Sequence, residues 1–317
     1  MKFSKAFWLP VLLALVILIV LQSACKSSSK DQNITSSYNS YNNQWTPPDD
    51  ETIPPGKEGE MIRYGEDLIK NTAVYLGPKG SIKHVSNGMN CQNCHLDGGK
   101  QIFGNCFSAV AANYPKYRER SGRVESIAFR VNDCLLRSMN GLSIDSESTE
   151  MKAMVSYLEW LGKDVPKGVK PVGAGVPVLP FLPRAADPEK GKNIFSQQCS
   201  RCHGTNGEGV MSSDSNFYTY PPLWGPNSYN TAAGMYRLSS LANFVKSNMP
   251  FVTNYLSPQL TDEEAWDVAA FVNSQPRPQK LFATDWPNVA KKPIDFPFGP
   301  YADNLSEQQH KYGPFGK

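Results

Sequence analysis

The chain has 317 residues, of which 40% are hydrophobic and 19% charged, and its formal net charge is +3 at pH 7. This length fits two compact domains with additional segments, and the apolar content is sufficient for their cores, which excludes global disorder. The near-balance of charge gives no indication of nucleic-acid binding, so we expect no nucleic-acid partner. Seven cysteines are too few for a disulfide scaffold in such a chain.

The amino terminus has the pattern of an export signal. Two lysines precede an apolar run from Phe7 to Leu21, which has the size of a signal-peptide core and is short for a membrane span. We therefore interpret residues 1–24 as a signal peptide. The residues before Cys25 resemble a bacterial lipobox, which implies that Cys25 is lipidated and anchors the protein, with an uncleaved anchor as the alternative. Both interpretations predict an exported protein at the periplasmic face of a bacterial membrane.

Three segments lack the periodicity of helices or strands. Residues 25–56 are rich in Ser, Asn, Thr and Pro, and we expect a flexible tether there. Residues 166–186 are rich in Pro, Gly and Val, which indicates an extended linker. Residues 278–317 are rich in Pro and aromatic residues and are predicted to pack irregularly over the surface. These segments delimit two domains, at residues 57–165 and 187–277.

The two domains repeat one helical pattern. Each begins with a predicted helix that carries a glycine at the same position, Gly65 in the first domain and Gly191 in the second. A small residue repeated at one helical position indicates close approach of another helix. Each domain ends with a predicted amphipathic helix, over residues 149–161 and 262–274. The sequence therefore predicts an all-α fold with little sheet.

Each domain also carries a Cys-x-x-Cys-His motif, which is the attachment signature of c-type haem. The motif residues are Cys91, Cys94 and His95 in the first domain and Cys199, Cys202 and His203 in the second. In this motif the two thiols attach to the haem vinyl groups, and the histidine is the proximal iron ligand. A zinc site and a thioredoxin-like dithiol are the alternatives. Two copies behind an export signal favour haem, so we expect two covalently bound haem c groups.

The second domain resembles a class I cytochrome c domain, and we expect two such domains in tandem. The sequence FVKSNMP at 244–250 resembles the distal methionine loop of that family, and DVAAFVNSQP at 267–276 resembles its closing helix. The resemblance implies that Met249 is the sixth ligand of the second haem, with Met211 and Met235 as alternatives. A Met/His ligand pair raises the reduction potential, which suits a haem from which electrons leave.

The first domain has no methionine-proline sequence in the corresponding place. Residues 124–141 are instead predicted to form a helix. In that helix Arg130, Cys134 and Ser138 follow at intervals of four residues and therefore share one face. A thiol flanked by a guanidinium and a hydroxyl is poised to become a thiolate. A buried cysteine beside a solvated basic face is the alternative for Cys134. Cys106 is interpreted as a small buried residue, and it is also the main rival to Cys134.

The residues of the first domain resemble the thiosulfate dehydrogenases, dihaem cytochromes c that couple two thiosulfates into tetrathionate. The resembling stretches include GMN at 88–90, YP at 114–115 and CLLRSMNG at 134–141. The resemblance implies that Cys134 is the sixth ligand of the catalytic haem and forms a transient sulfur adduct with the substrate. It also implies that Arg120, Arg130 and Ser138 line the anion site.

The same resemblance implies that electrons pass through the second haem to an external acceptor, such as a soluble cytochrome c or a respiratory complex. Some family members have a lysine directly before the methionine ligand, and this chain has Asn248 there, so we do not expect an exchange of the two ligands. Three alternative functions stay open at this point. They are a membrane-tethered dihaem electron carrier, a tetrathionate reductase, and the haem subunit of a multi-protein sulfur-oxidising complex.

Overall fold

Between residues 44 and 315, which are those that the computed structural model describes, the regular secondary structure is mainly helical. The predictions for the signal peptide and for Cys25 lie outside the described residues. Strands in the described part form two small antiparallel hairpins, which agrees with the all-α prediction. No helix between residues 44 and 315 is both long enough and apolar enough to cross a membrane.

The elements follow the two-domain order. The first domain contains helices α1 (Gly56–Lys70), α2 (Thr72–Leu76), α3 (Val110–Asn113), α4 (Ile127–Arg137) and α5 (Thr149–Leu161), with strands β1 (Lys116–Arg118) and β2 (Arg123–Glu125) between α3 and α4. The second contains α6 (Pro188–Gln198), α7 (Ser200–His203), strands β3 (Val210–Met211) and β4 (Tyr218–Tyr220), α8 (Leu238–Asn248) and α9 (Asp262–Ser274). Helix α10 (Glu307–Tyr312) lies in the C-terminal segment.

In each domain the first helix packs closely against the last one. A Cβ atom at Gly65 of α1 would lie 2.0 Å from the Ala153 carbonyl oxygen of α5. A Cβ atom at Gly191 of α6 would lie 1.9 Å from the Asp267 carbonyl oxygen of α9. Only glycine lets two backbones approach this closely. The prediction drawn from the repeated glycine is therefore confirmed in both domains.

The closing helices have the predicted bounds because their ends are specified locally. The Ser148 hydroxyl accepts a hydrogen bond from the Met151 amide at the start of α5, at 3.2 Å. Thr261 and Glu264 form a capping box at the start of α9. The apolar faces of both helices are buried and supply the centres of the two cores, with Met151, Met154, Tyr157, Leu158 and Leu161 from α5 and Ala265, Trp266, Val268, Ala269 and Val272 from α9.

Helix α4 begins at Ile127, whereas the sequence pattern placed its start at Val124. Strand β2 pairs with β1 in an antiparallel hairpin, so the chain is extended before the helix. Ser126 then caps the helix by accepting a hydrogen bond from the Phe129 amide at 3.1 Å. The predicted start is wrong because the partner strand, and not the local periodicity, decides the conformation of residues 123–125.

The segment before α1 is packed over its described part. Trp45 and Ile53 are buried in the core of the first domain. The Trp45 amide donates a hydrogen bond to the Val172 carbonyl oxygen at 3.0 Å. The expectation of a flexible tether is therefore wrong for residues 44–56, because two large apolar side chains dock an otherwise polar segment onto the core.

The linker at 166–186 is irregular and bonds to both domains. The Phe103 amide donates to the Gly173 carbonyl oxygen at 2.7 Å, on the side of the first domain. The Trp266 indole donates to the Pro180 carbonyl oxygen at 3.1 Å, on the side of the second. The linker is therefore held against both domains by hydrogen bonds.

The C-terminal segment is irregular as far as α10, apart from a short 3₁₀ helix at Val289–Lys291. Tyr312 and Phe315 are buried in the core of the second domain, and the Ala186 amide donates to the Tyr312 carbonyl oxygen at 2.8 Å. The expectation of a purely irregular surface layer is wrong for this end of the segment, which adds a short helix and two aromatic side chains to a core.

Candidate functional site

The first Cys-x-x-Cys-His motif opens onto a cavity of about 250 Å³. The cavity is lined mainly by apolar side chains, and its lining includes the motif residues Cys91, Cys94 and His95. Arg130, Cys134 and Ser138 line the same cavity, because the four-residue spacing places all three on one side of α4. The structure therefore brings the motif together with three of the four residues predicted for catalysis.

The histidine of each motif is oriented by a backbone carbonyl group. His95 Nδ1 lies 2.7 Å from the Asn105 carbonyl oxygen, and His203 Nδ1 lies 2.8 Å from the Pro221 carbonyl oxygen. With Nδ1–H as the donor, Nε2 carries the free lone pair that an iron ligand requires. Burial lowers the pKa of His95 to about 4 and also lowers the pKa of His203, so both imidazoles are neutral.

Cys134 and Arg130 are electrostatically coupled. Attraction to Cys134 is the largest influence on the guanidinium and raises the pKa of Arg130, against the opposing effect of burial. The residue Ser138 follows α4 as its C-cap, one turn after Cys134. The cavity thus presents a thiol, a permanent cation and a hydroxyl among its lining side chains.

Arg120 is not among the residues that line this cavity. Its guanidinium forms an ion pair with Asp133 of α4 instead. Asp133 also pairs with Arg130, at 2.5 Å, and with Arg137. Although burial raises the pKa of Asp133, attraction to the three arginines outweighs that effect and lowers it. In this structure Arg120 is therefore part of a buried ion cluster next to the cavity, and the sequence did not indicate Asp133 as its centre.

Two further residues of the cavity are Tyr114, to which the sequence assigned no role, and Cys106, the rival to Cys134. Tyr114 lines it, and burial raises the pKa of Tyr114, so its hydroxyl stays protonated as a donor. Cys106 lines it as well, but its sulfur lies 3.2 Å from the Gly173 carbonyl oxygen and 3.2 Å from the Ser108 hydroxyl. These bonds fit the interpretation of Cys106 as a small buried residue.

The second motif opens onto a cavity of about 470 Å³. Cys199, Cys202, His203 and Met249 all line it. Met235 lines it too, whereas Met211 is not among its lining residues. Its wall also includes Cys94 and other residues of the first motif, so the two cavities adjoin at that motif.

Both cavities suit haem c by the chemistry of their side chains. Each combines two thiols, a neutral histidine and a sulfur side chain with a largely apolar wall. Arg277 adds an independent indication, because its Nε and Nη1 are buried without a partner in the described part of the chain. Its guanidinium lies over Tyr229, which lines the second cavity, at 4.3 Å from the ring centre. A group that carries carboxylates, as haem does, would satisfy such an unpaired cation.

The paired cavities, each with its own attachment motif, define a dihaem c-type cytochrome. Residues 81–166 match the family model described as SoxA/TsdA, cytochrome c domain, and residues 188–276 match the cytochrome c model. These matches confirm the prediction of two cytochrome c domains in tandem, each of which attaches a haem c covalently.

Curated relatives and a solved structure identify the family. The chain is 39% identical to a thiosulfate dehydrogenase of Psychrobacter arcticus over 243 residues, which cover 76% of this chain and 71% of that protein. It is 37% identical to a thiosulfate dehydrogenase of Allochromatium vinosum over 230 residues, 71% of this chain and 82% of that one. A solved thiosulfate dehydrogenase (TsdBA) of Marichromatium purpuratum, in its as-isolated form, has a TM-score of 0.69 and 35% identity, with 74% of this chain and 50% of that chain covered. The chain belongs to the thiosulfate dehydrogenase family, and it is an enzyme of that family.

Proposed function

We propose that this enzyme joins two thiosulfate ions into tetrathionate in the first cavity and passes the electrons to an external acceptor. One S–S bond forms between the two terminal sulfurs, and the two thiosulfates together lose two electrons and no proton. The observation that carries the proposal is the placement of Arg130, Cys134 and Ser138 in the cavity of the first haem motif. An electron carrier alone has no use for such an anion site.

Arg130 supplies the charge that the substrate requires. Two unit charges about 4 Å apart interact by about 4 kcal/mol at an effective dielectric constant of about 20, so two dianions repel each other several times more strongly. A guanidinium offsets this repulsion and offers a fixed fork of donors to oxyanions. Ser138 and Tyr114 line the same cavity and add neutral hydroxyl donors.

Cys134 is the proposed reacting side chain. In our proposal its thiolate forms an S–S bond with the terminal sulfur of the first thiosulfate while two electrons leave. The second thiosulfate then attacks that sulfur and displaces Cys134 as a thiolate, which releases tetrathionate and restores the site. The positive charge of Arg130 stabilises the thiolate in both steps.

The same residues fit the proposed iron ligation. We infer that His95 and Cys134 would hold the iron of the first haem, and that His203 and Met249 would hold the iron of the second. When bound, the two haems supply one-electron redox chemistry, so the pair matches a two-electron oxidation. Because Cys94 lines both cavities, the second domain lies next to the reacting site and is the proposed exit toward a soluble cytochrome c or a respiratory complex.

The proposed location follows from the sequence. A c-type cytochrome with a leader at residues 1–24 is expected to be exported, and lipidation of Cys25 would hold it at the periplasmic face of a membrane. Such an anchor keeps the enzyme beside a membrane-bound acceptor.

The test is steady-state oxidation of thiosulfate by the haem-loaded protein, with ferricyanide as the acceptor. We expect one tetrathionate for every two ferricyanide ions reduced. Absence of turnover in protein with both haems attached would contradict the proposal. If the addition of tetrathionate to the reduced protein instead oxidises its haems, the protein is a tetrathionate reductase.

A further inference from the structure

The C-terminal segment crosses the end of the helix that carries the proposed site. Lys280 Nζ donates to the carbonyl oxygens of Leu136 and Gly141, at 3.2 and 3.3 Å, just where α4 ends. The Phe282 ring lies under the Arg137 guanidinium, whose carbon is 4.0 Å from the ring centre. This part of the chain lies beyond residue 276, where the match to the cytochrome c model ends.

Asp285 in this segment makes a two-pronged ion pair with Arg137. The Arg137 Nη1 and Nη2 atoms donate to the two carboxylate oxygens at 2.6 and 2.7 Å. Both side chains are nearly buried, with 7% of Arg137 and 12% of Asp285 exposed. Such a pair is geometrically specific, and breaking it leaves a buried charge that must find another partner.

The partner within reach is Asp133. The third nitrogen of the Arg137 guanidinium, Nε, already donates a hydrogen bond to Asp133 Oδ1. The other oxygen, Oδ2, accepts from Arg120 and, at 2.5 Å, from Arg130 Nη1. Arg130 is therefore held by the Asp133 oxygen that Arg137 does not use, while Asp285 occupies the two Nη atoms of Arg137.

We propose that Asp285 is a positioning residue for substrate binding, which acts on Arg130 through Arg137 and Asp133. This inference rests on the proposed function of the first cavity. Without the Asp285 carboxylate, Arg137 turns its two Nη atoms to Asp133 and takes the oxygen that Arg130 uses. Arg130 then loses its anchor, and its guanidinium must be ordered anew each time an anion binds.

The direction of the change in KM distinguishes a positioning role of Asp285 from a simple effect of its negative charge. Removing a carboxylate near an anion site should lower the KM for thiosulfate, because a repulsive charge is lost. A positioning role of Asp285 predicts a higher KM instead. We expect Asp285→Asn to raise the KM by about tenfold, the scale of one weakened charge-assisted hydrogen bond, with a much smaller change in kcat. Asp285→Glu retains the charge and should restore most of the affinity.

Asp295 provides the matched control. It is another buried carboxylate of the C-terminal segment, paired with an arginine of the second domain, Arg237, at 2.9 Å between Nε and Oδ1. Asp295→Asn removes the same charge and loosens the same segment, yet it should leave the KM for thiosulfate unchanged. A rise of equal size in both variants would reduce Asp285 to a general structural role and overturn the proposal, as would a lower KM in Asp285→Asn.

A crystal structure tests the position of Arg130 independently of catalytic activity. In a crystal structure of haem-loaded Asp285→Asn we expect both Arg137 Nη atoms on Asp133 and Arg130 beyond hydrogen-bond distance of that carboxylate. An unmoved Arg130 would contradict the positioning claim whatever the activity. If the unaltered enzyme made no tetrathionate, the proposed function would fail, and this structure would still decide whether Asp285 places Arg130.

Discussion

Arg130 forms an ion pair with the Asp133 carboxylate and is also attracted electrostatically by Cys134. The ion pair with Asp133 holds the side chain, and attraction to Cys134 raises the pKa of the Arg130 guanidinium. Because a guanidinium has five N–H donors, it can keep its bond to Asp133 and still offer donors to an anion. A lysine at the same position would keep the charge and lose this fork.

We therefore predict that Arg130→Lys raises the KM for thiosulfate by about tenfold while both haems stay attached, because a compact ammonium cannot make the same set of directed bonds. Steady-state kinetics and the haem absorption spectrum measure the two parts of this prediction. Arg123→Lys is the control, since Arg123 is exposed on the neighbouring hairpin and packs over Phe129. An unchanged KM in Arg130→Lys, or an equal rise in the control, would argue against Arg130 as the anion ligand.

At the scale of elements, each domain depends on one close crossing of its first and last helices. At Gly65 and Gly191 the neighbouring backbone occupies the space of a Cβ atom. These crossings set the distance between the helices whose side chains line the cavities, including Ile69 and Leu158 in the first domain.

Gly65→Ala is expected to destabilise the protein by about 2 kcal/mol or more, because the added methyl group meets a backbone carbonyl that cannot move aside alone. Thermal or denaturant unfolding of the haem-loaded protein measures this. Gly234→Ala is the matched control, since a Cβ atom there meets nothing within 4 Å, and we expect its effect to stay within about 0.5 kcal/mol. Equal stabilities of the two variants would contradict the crossing as described.

Some features of these elements follow from the local sequence, and others depend on contacts between distant residues. Helices α5 and α9 follow from periodicity and adjacent capping residues, and the grouping of Arg130 with Cys134 follows from helical spacing. The start of α4 depends on the pairing of β1 with β2, and the docking of Trp45 depends on a distant core. The bond from Asp285 to Arg137 joins residues 148 positions apart. No local pattern carries that contact, so only the fold reveals that Asp285 and Arg120 belong to the ion cluster, whereas the pair of Arg137 with Asp133 has the i, i+4 spacing of a helix.

At the scale of the whole molecule, the two domains have different proposed roles. The first holds the proposed anion site, and the second holds the proposed methionine-ligated haem, with residues of the first motif lining both cavities. The linker and the C-terminal segment bond to both domains, which keeps the two cavities adjoining.

This division predicts that Met249→His lowers the reduction potential of the second haem and slows electron delivery to the acceptor, with the KM for thiosulfate unchanged, because a Met/His pair raises the potential. Spectroelectrochemical titration resolves the two haems. Met211→Leu should have no effect, since Met211 is partly exposed in β3 and is not among the residues that line the cavity. A potential that responds to Met235→Leu and not to Met249→His would reassign the ligand.

The central claim, that Cys134 is the reacting residue, is tested most directly by comparing two cysteine variants in the tetrathionate assay. Both Cys134 and Cys106 line the first cavity, and each variant removes one thiol from it. With both haems attached, we expect Cys134→Ala to lose tetrathionate formation by at least about a thousandfold, the scale for loss of a covalent nucleophile. Cys106→Ala should keep most of it. A fully active Cys134→Ala enzyme, or an inactive Cys106→Ala enzyme with Cys134 intact, would contradict the account.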